Sequence, residues 1–535
     1  MTTSRFNRTE LPASGDAGNL QQYPKRRQSW CCLRLTGLFV LSVLAGCNQS
    51  EPSDENRRPV ESGAAVVGTT STGAGAITDP IRSGQNTNSL DPLSSIFTNP
   101  NTPYTADPDG ENLCYGFDGS QERRVVPRIE KPPFLSYYRD PTFGANIVRI
   151  TDGQFGEVNK AAYSTMQAWN ADESLMILYR TGTSDGGHYL HNGRTYEEIQ
   201  PLDIWPSDLE DVFWSYNDPG SFYYISQEDD SLGHFLKHDA LSGNETLLID
   251  TTQICGRGER AIGGYDVQMH SHDDDTFGFR CLNPANENRS LAFTYRQSTG
   301  EVTRSPIGQG TGIPADVAPM VGPSGTQSLI PPVLLDAQLQ DTGFEIDRAQ
   351  TEHASMGRTW NGDDALFSTT FLPSPRGCDD EFWLGVSHLV EFNLEARTCR
   401  TILNQSDGWP PTTSGTHVSA TAYQRPGWVA MSSIGARDLH YLRMESLENR
   451  SAPVFFSEIY LVNTNPNDPA VCRLAQHRTF GREATKGGYD PYFSEPHPTI
   501  SPSGTRILFS SDWYDSGTVD AYVIELPAYD PDSPN

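Results

Sequence analysis

Ser501-Pro502-Ser503-Gly504-Thr505-Arg506-Ile507-Leu508-Phe509-Ser510-Ser511 decides the fold. A Ser/Pro/Gly turn opens directly into an apolar run with little alternation. Turn residues of this kind reverse the chain, and a short apolar run behind them reads as a strand covered on both faces. The unit recurs upstream. Trp169-Asn170-Ala171-Asp172-Glu173 precedes LMILY, and Trp360-Asn361-Gly362-Asp363-Asp364 precedes ALFST. Weaker copies are Tyr216-Asn217-Asp218 before SFYYIS, Asp273-Asp274-Asp275 before TFGFR, and Arg425-Pro426-Gly427 before WVAMSS. Turn centres at Asp172, Asp218, Asp274, Asp363, Pro426 and Ser503 stand 46, 56, 89, 63 and 77 residues apart. Each interval holds a four-stranded sheet with its loops.

Steady repetition at this period is the pattern of an all-β fold, a β-propeller, in preference to a pair of β-sandwiches. Six units are visible, and the 89-residue interval has room for a seventh. Within that interval the Pro/Gly-rich stretch Pro306 to Pro332 reads as an inserted loop near one face. Composition agrees with a turn-rich β protein: 47 Gly, 38 Pro and 10% aromatic residues among 535. Thirty-nine basic against 68 acidic residues give a net charge of -29, which repels nucleic-acid phosphates. No nucleic-acid partner is expected.

The first 46 residues read as an export leader. Arg26, Arg27 and Arg34 precede the apolar stretch Leu35 to Gly46, which is too short to span a bilayer. It runs into Leu44-Ala45-Gly46-Cys47, a tetrad that resembles the bacterial lipobox, in which the cysteine is acylated. The resemblance implies lipidation at Cys47, and Asn48 after it implies the outer membrane or cell surface, with the lipid as the sole membrane contact. The mature chain would carry 33 basic and 66 acidic residues, net -33. Residues 47–112 are rich in Ser, Thr, Gly, Asn and Pro and read as a flexible tether. The propeller is expected over 113–535, as a monomer.

Six cysteines remain after the leader and Cys47: Cys114, Cys255, Cys281, Cys378, Cys399 and Cys472. An even number in an oxidising compartment predicts disulfides, with 15 connectivities open. The expected pairs are Cys255–Cys281, Cys378–Cys399 and Cys114–Cys472, the last joining the two ends of the folded region. A His/Cys zinc site is the alternative, and no tight Cys-x-x-Cys spacing supports it.

Cys472-Arg473-Leu474-Ala475-Gln476-His477, then Ser494-Glu495-Pro496-His497-Pro498-Thr499-Ile500-Ser501-Pro502 and TRILFSSDW, resemble the C-terminal blade of oligogalacturonate lyases. FGANIVRITDG, and Glu352-His353 ahead of the Trp360 turn, resemble other parts of that family, over most of residues 140–530. The resemblance implies seven blades, β-elimination of uronates, and a divalent metal, usually manganese, held by three His and a Gln. His353 and His497 match two of those positions. Glu495 stands where the family has the first His of His-Pro-His, the Gln position falls near Tyr492, and the family's base aligns near Cys281. With His417, also near the start of a unit, the expected metal set is His353, His417, Glu495 and His497. Mn, Ca or Zn are the candidate ions.

Ulvan lyases are similar in overall plan and use a His pair, a Tyr and an Arg in their central blades. By spacing these fall at Gln167, His188, Tyr265 and Arg280. A uronate lyase removes the C5 proton and expels the C4 oxygen, which requires a neutralised carboxylate. Arg280 is suited to clamp it, His188 to act as base, and Tyr265 as base or proton donor. Gln167, Trp169 and Arg358 complete the expected substrate contacts. His270 and His272 flank an acidic run; a solvated turn is the preferred reading, with metal binding as the alternative.

The expected function is thus an exported lipoprotein polysaccharide lyase acting on an acidic polysaccharide. The alternative is a non-catalytic surface propeller that binds glycan or protein; a hydrolase ranks last, without a G-x-S-x-G elbow or paired carboxylates. Cys47→Ser should abolish acylation, read as loss of incorporated labelled palmitate; incorporation that persists would remove the lipobox reading.

Overall fold

The structure, a computed structural model, describes residues 111–531 apart from 256–259, 263–268, 283–290, 306–317, 348–350, 352, 370–388, 404–407, 410–416, 434–450 and 481–485. The leader, residues 47–110 of the tether, Cys47, Tyr265 and Cys378 lie outside the described residues. All that is described belongs to one compact unit, Thr87–Asn535.

The described residues form a seven-bladed β-propeller. Blades 1 to 6 are four-stranded antiparallel sheets, beginning at Val158, Val212, Arg260, Met320, Ser355 and Val418. Each expected turn lies between the first and second strands of a blade. The second strands are the apolar runs read from sequence: Ser221–Ile225, Asp364–Thr369, Trp428–Ser433 and Arg506–Ser511 are buried at every residue. Burial on both faces explains why they carry no alternation, since each is covered by the next sheet.

One expectation is corrected. The stretch read as an inserted loop contains the first half of blade 4: Met320–Val321 and Gln327–Ile330 pair across Gly322-Pro323-Ser324-Gly325-Thr326. That turn is a near copy of Ser501-Pro502-Ser503-Gly504-Thr505. Gly325 and Gly504 hold the same left-handed position, φ 70° and 77°, which costs a side-chain-bearing residue 1–3 kcal/mol by the usual order of magnitude, roughly.

Blade 7 closes the ring. Thr499–Ile500, Arg506–Ser511 and Asp520–Glu525 come from the C-terminus, and Asn146–Arg149 and Tyr137–Arg139 from the N-terminal side. Asn146 pairs with Glu525 and Arg149 with Tyr522. Cys114–Cys472 joins the two ends as expected, and Cys255–Cys281 also forms, with Cα separations of 5.4 and 5.2 Å. Cys399 is disulfide-bonded, while its expected partner Cys378 lies outside the described residues.

Buried ion pairs secure the seam. Arg473 makes two 2.7 Å bonds to Glu458 and also bonds the Glu122 carbonyl at 2.6 Å. Arg478 reaches Asp140 at 3.2 Å. Arg506 of blade 7 reaches Glu173 of blade 1 at 2.7 Å, both fully desolvated. Arg506→Met leaves that carboxylate buried without its cation and should cost about 3–5 kcal/mol in denaturant unfolding. The double variant Arg506→Met/Glu173→Gln should recover most of the loss, and equal loss in both would show that the pair is not what matters.

Candidate functional site

The first strand of each blade faces the axis, and around the seam these strands are stitched together. Ser355 Oγ accepts from Ala420 N at 3.0 Å, Ser419 Oγ from Ile500 N at 3.2 Å, and Thr499 Oγ1 donates to the Tyr163 carbonyl at 3.3 Å. Blades 5, 6, 7 and 1 are thereby locked edge to edge. The residues just before these strands cluster at one end of the axis.

His353 precedes Ser355–Arg358, His417 precedes Val418–Ser419, and Glu495 and His497 precede Thr499–Ile500. Three of the four converge: one ligand atom each from His417, Glu495 and His497 lie within 4.8 Å of one another. All three are buried. His417 Nε2 is 3.7 Å from Glu495 Oε2, too far for a hydrogen bond. His353 stacks on His417 with ring centroids 4.4 Å apart and planes 7° from parallel, and His417 and His497 centroids are 4.3 Å apart. His353 and His497 both have left-handed backbones, φ 56° and 41°, an uncommon conformation that concentrates at functional sites.

Tyr163, Tyr492 and Lys160 wall the cluster. Tyr163 lies 5.5 Å from His417 and 5.3 Å from His497, and Tyr492 lies 4.9 Å from His497, ring to ring. Buried Lys160 donates to the Ala162 carbonyl at 3.0 Å and stands over the Tyr492 and Phe493 rings. Burial first, then the Lys160 ammonium and the His417 and His353 rings, hold His497 well below the ordinary imidazole range. His497 is therefore neutral and has lone-pair character to offer.

A second layer fixes the loop that carries Glu495 and His497. His477 Nε2 sits 3.1 Å from the Ser433 carbonyl and Nδ1 accepts from Thr479 N at 3.2 Å. Thr479 Oγ1 donates to the Ser494 carbonyl at 2.6 Å. Asp512, fully buried, accepts from Phe480 N at 2.9 Å and Asp515 N at 3.1 Å.

The remaining expected residues lie elsewhere. His188 is on the third strand of blade 1, Gly187–Asn192, buried, with Nε2 2.7 Å from the Leu209 carbonyl. Burial pulls its pKa down to about 4, so it is neutral, but that hydrogen bond occupies a nitrogen at the interface with blade 2. Arg280 is buried on the second strand of blade 3, on the side where Gly278 packs against Pro319 of blade 4. His188 and Arg280 thus belong to different blade interfaces. Gln167 is a clamp: Nε2 donates to the carbonyls of Thr421 at 3.1 Å and Ile500 at 2.9 Å, and Oε1 accepts from Trp169 N. Trp169 is wholly buried, its indole donating to the Gly193 carbonyl, which removes it from any substrate surface. Arg358 ends its strand at the turn side, donating to the Gly362 carbonyl at 2.7 Å, at the opposite end of that strand from His353.

Sequence reasoning passed over Tyr163 and Lys160. A signal exists for Tyr163: it stands nine residues ahead of the Asp172 turn, as His417 stands nine ahead of Pro426.

No family model and no curated protein matches the chain. Among solved structures it is similar to an oligogalacturonate lyase in complex with manganese, at 15% identity and TM-score 0.48, over 76% of this chain and 98% of that one. An oligogalacturonate lyase from Vibrio parahaemolyticus is similar at 14% and 0.47, over 76% and 98%. A gluconolactonase from Xanthomonas campestris is similar at 9% and 0.31, over 77% and 100%. Likenesses of this degree carry no weight for the chemistry, which rests on this chain's own side chains.

Those side chains fit a divalent metal. Neither ring nitrogen of buried His497 makes a hydrogen bond of ordinary geometry, a cost that a metal bond would remove. Two imidazoles and one carboxylate suit Zn²⁺ or Mn²⁺; Ca²⁺, which takes oxygen ligands, is the poorer match.

Asp512 gives a pH test of the supporting layer. Burial raises its carboxyl to about 7, above the unfolded value near 3.8. The stability it contributes is present in full below the unfolded value and is lost as pH rises through about 7. Asp512→Asn should therefore flatten the fall in Tm between mildly acidic and mildly alkaline buffer; an unchanged fall would place that titration in another group.

Proposed function

We propose that the protein is an exported, lipid-anchored polysaccharide lyase that cleaves a uronic-acid-containing polysaccharide by β-elimination at the His417/Glu495/His497 centre. One observation carries the reading: three ligand-type side chains from adjacent blades converge, buried, beside an imidazole, a phenol and an ammonium group. The resemblance of the Ser494–Pro502 segment to oligogalacturonate lyases supports the reaction class.

His417, Glu495 and His497 would hold the ion, with His353 beside them as the fourth expected ligand. A bound divalent cation supplies a Lewis acid that neutralises a substrate carboxylate and so acidifies the adjacent C–H. The chain adds its own charge there. Lys160 places an ammonium next to the cluster, which offsets the repulsion between an acidic polymer and a protein of net charge -29. His353 is half-buried, in contrast to the buried His417 and His497, and its imidazole is assigned proton transfer at a ring nitrogen when it is not a ligand. Tyr163 and Tyr492 exclude water from the far side of His497.

Purified mature protein loaded with Mn²⁺ or Zn²⁺ should generate unsaturated uronate absorbance from polygalacturonate, alginate or ulvan, and chelator should abolish it. Glu495→Gln and His497→Ala should each lower metal stoichiometry and reduce turnover by roughly 10²-fold or more. Silence of the metal-loaded protein on all three polymers would overturn the lyase reading and leave a glycan- or protein-binding propeller.

A further inference from the structure

At the turn side of the axis, three more rings meet. Tyr216 follows the first strand of blade 2, His272 that of blade 3, and Tyr423 that of blade 6. Ring centroids are 4.4 Å apart for Tyr216–His272, 4.8 Å for Tyr216–Tyr423 and 5.5 Å for His272–Tyr423. The group is separate from the His417 cluster. Tyr216, His272 and Tyr423 follow the first strands of their blades, whereas His353, His417 and His497 precede theirs, at the other end.

All three residues are half-buried. Among the described residues, neither phenol hydroxyl nor the His272 ring donates or accepts a hydrogen bond, although their backbones are well anchored. Asp274, the nearest carboxylate, is already committed to Ser215, Asn217 and the Tyr216 backbone. Exposed Trp360 follows Arg358 at the same end of blade 5.

The charges narrow what fits. Burial raises both phenols far above neutrality, and burial with the Arg358 guanidinium lowers His272 to about 3, so all three groups are uncharged at ordinary pH. Asp172, Glu173 and Asp274 act on Tyr423 and oppose an anion, while Arg358 opposes a cation. What remains is an uncharged ligand that both donates and accepts hydrogen bonds and has an apolar face.

We propose that the turn-side mouth is a second binding site, and that Tyr216, His272 and Tyr423 receive a neutral sugar ring there. Hydroxyl groups meet the phenols and the imidazole, and the C–H face lies on the aromatic surface, with Trp360 as an outer platform. The site does not depend on the lyase reading, because it uses none of the residues of the His417 cluster.

Titration of the full chain with maltotriose, cellotriose and methyl β-galactoside, followed by calorimetry and indole fluorescence, tests it. At least one should bind saturably, and chelator should not alter the binding. The double variant Tyr216→Phe/Tyr423→Phe should keep its melting temperature and bind about tenfold or more weakly, as expected for two lost hydrogen bonds. Absence of saturable binding for all three sugars, or binding that the double variant leaves unmoved, would overturn the site and make the rings a plug. Binding lost with chelator would move the ligand to the His417 cluster and overturn it as well.

Discussion

Everything in this molecule depends on one antiparallel pairing, Asn146–Arg149 against Asp520–Glu525. Without it the sheets form an open array, with unpaired strand edges at both ends. Bringing together segments some 370 residues apart costs about 5 kcal/mol of chain entropy by the logarithmic rule. The seam is correspondingly tied by several buried links. The Cys114–Cys472 bridge, the Arg473 hydrogen bond to the Glu122 carbonyl and the buried pairs of Arg478 and Arg506 all join the N-terminal part of the domain or blade 1 to the last two blades.

Closure also builds the site. Tyr163 belongs to blade 1 and His497 to blade 7, so their contact exists only across the seam. His417 and His353 come from the two blades before it. A centre assembled from four separate blades is rigid because each donor stands at the entrance to a strand whose other neighbours are fixed. Burial then keeps His497 neutral, the state a metal ligand requires. The overall negative charge of the chain and the positive Lys160 beside the cluster are not in conflict, since the first acts over the whole surface and the second at one point.

The turn-and-strand units were legible because they are local: a Gly/Pro/Asp reversal followed by residues that must be apolar on both faces. Blade 4 was legible too in Gly322-Pro323-Ser324-Gly325-Thr326, but the surrounding Pro and Gly disguised it as a loop. The even cysteine count pointed to disulfides but left 15 connectivities open, and the structure forms two of the expected pairs, Cys255–Cys281 and Cys114–Cys472. In the site, His353, Glu495 and His497 were identified from the resemblance of their segments to oligogalacturonate lyases, and His417 from its place near the start of a unit. His188, Arg280 and Gln167 were chosen by linear spacing, and spacing says nothing about which of a sheet's four strands faces the axis.

By itself the sequence determined the repeating unit, its approximate register and the residue types available for chemistry, because turn conformation and double-sided burial act over a few neighbouring residues. Only the tertiary structure decided which of those residues share a point in space. That choice depends on how many sheets close the ring and on which strand in each lies innermost, and both are settled by packing between segments hundreds of residues apart.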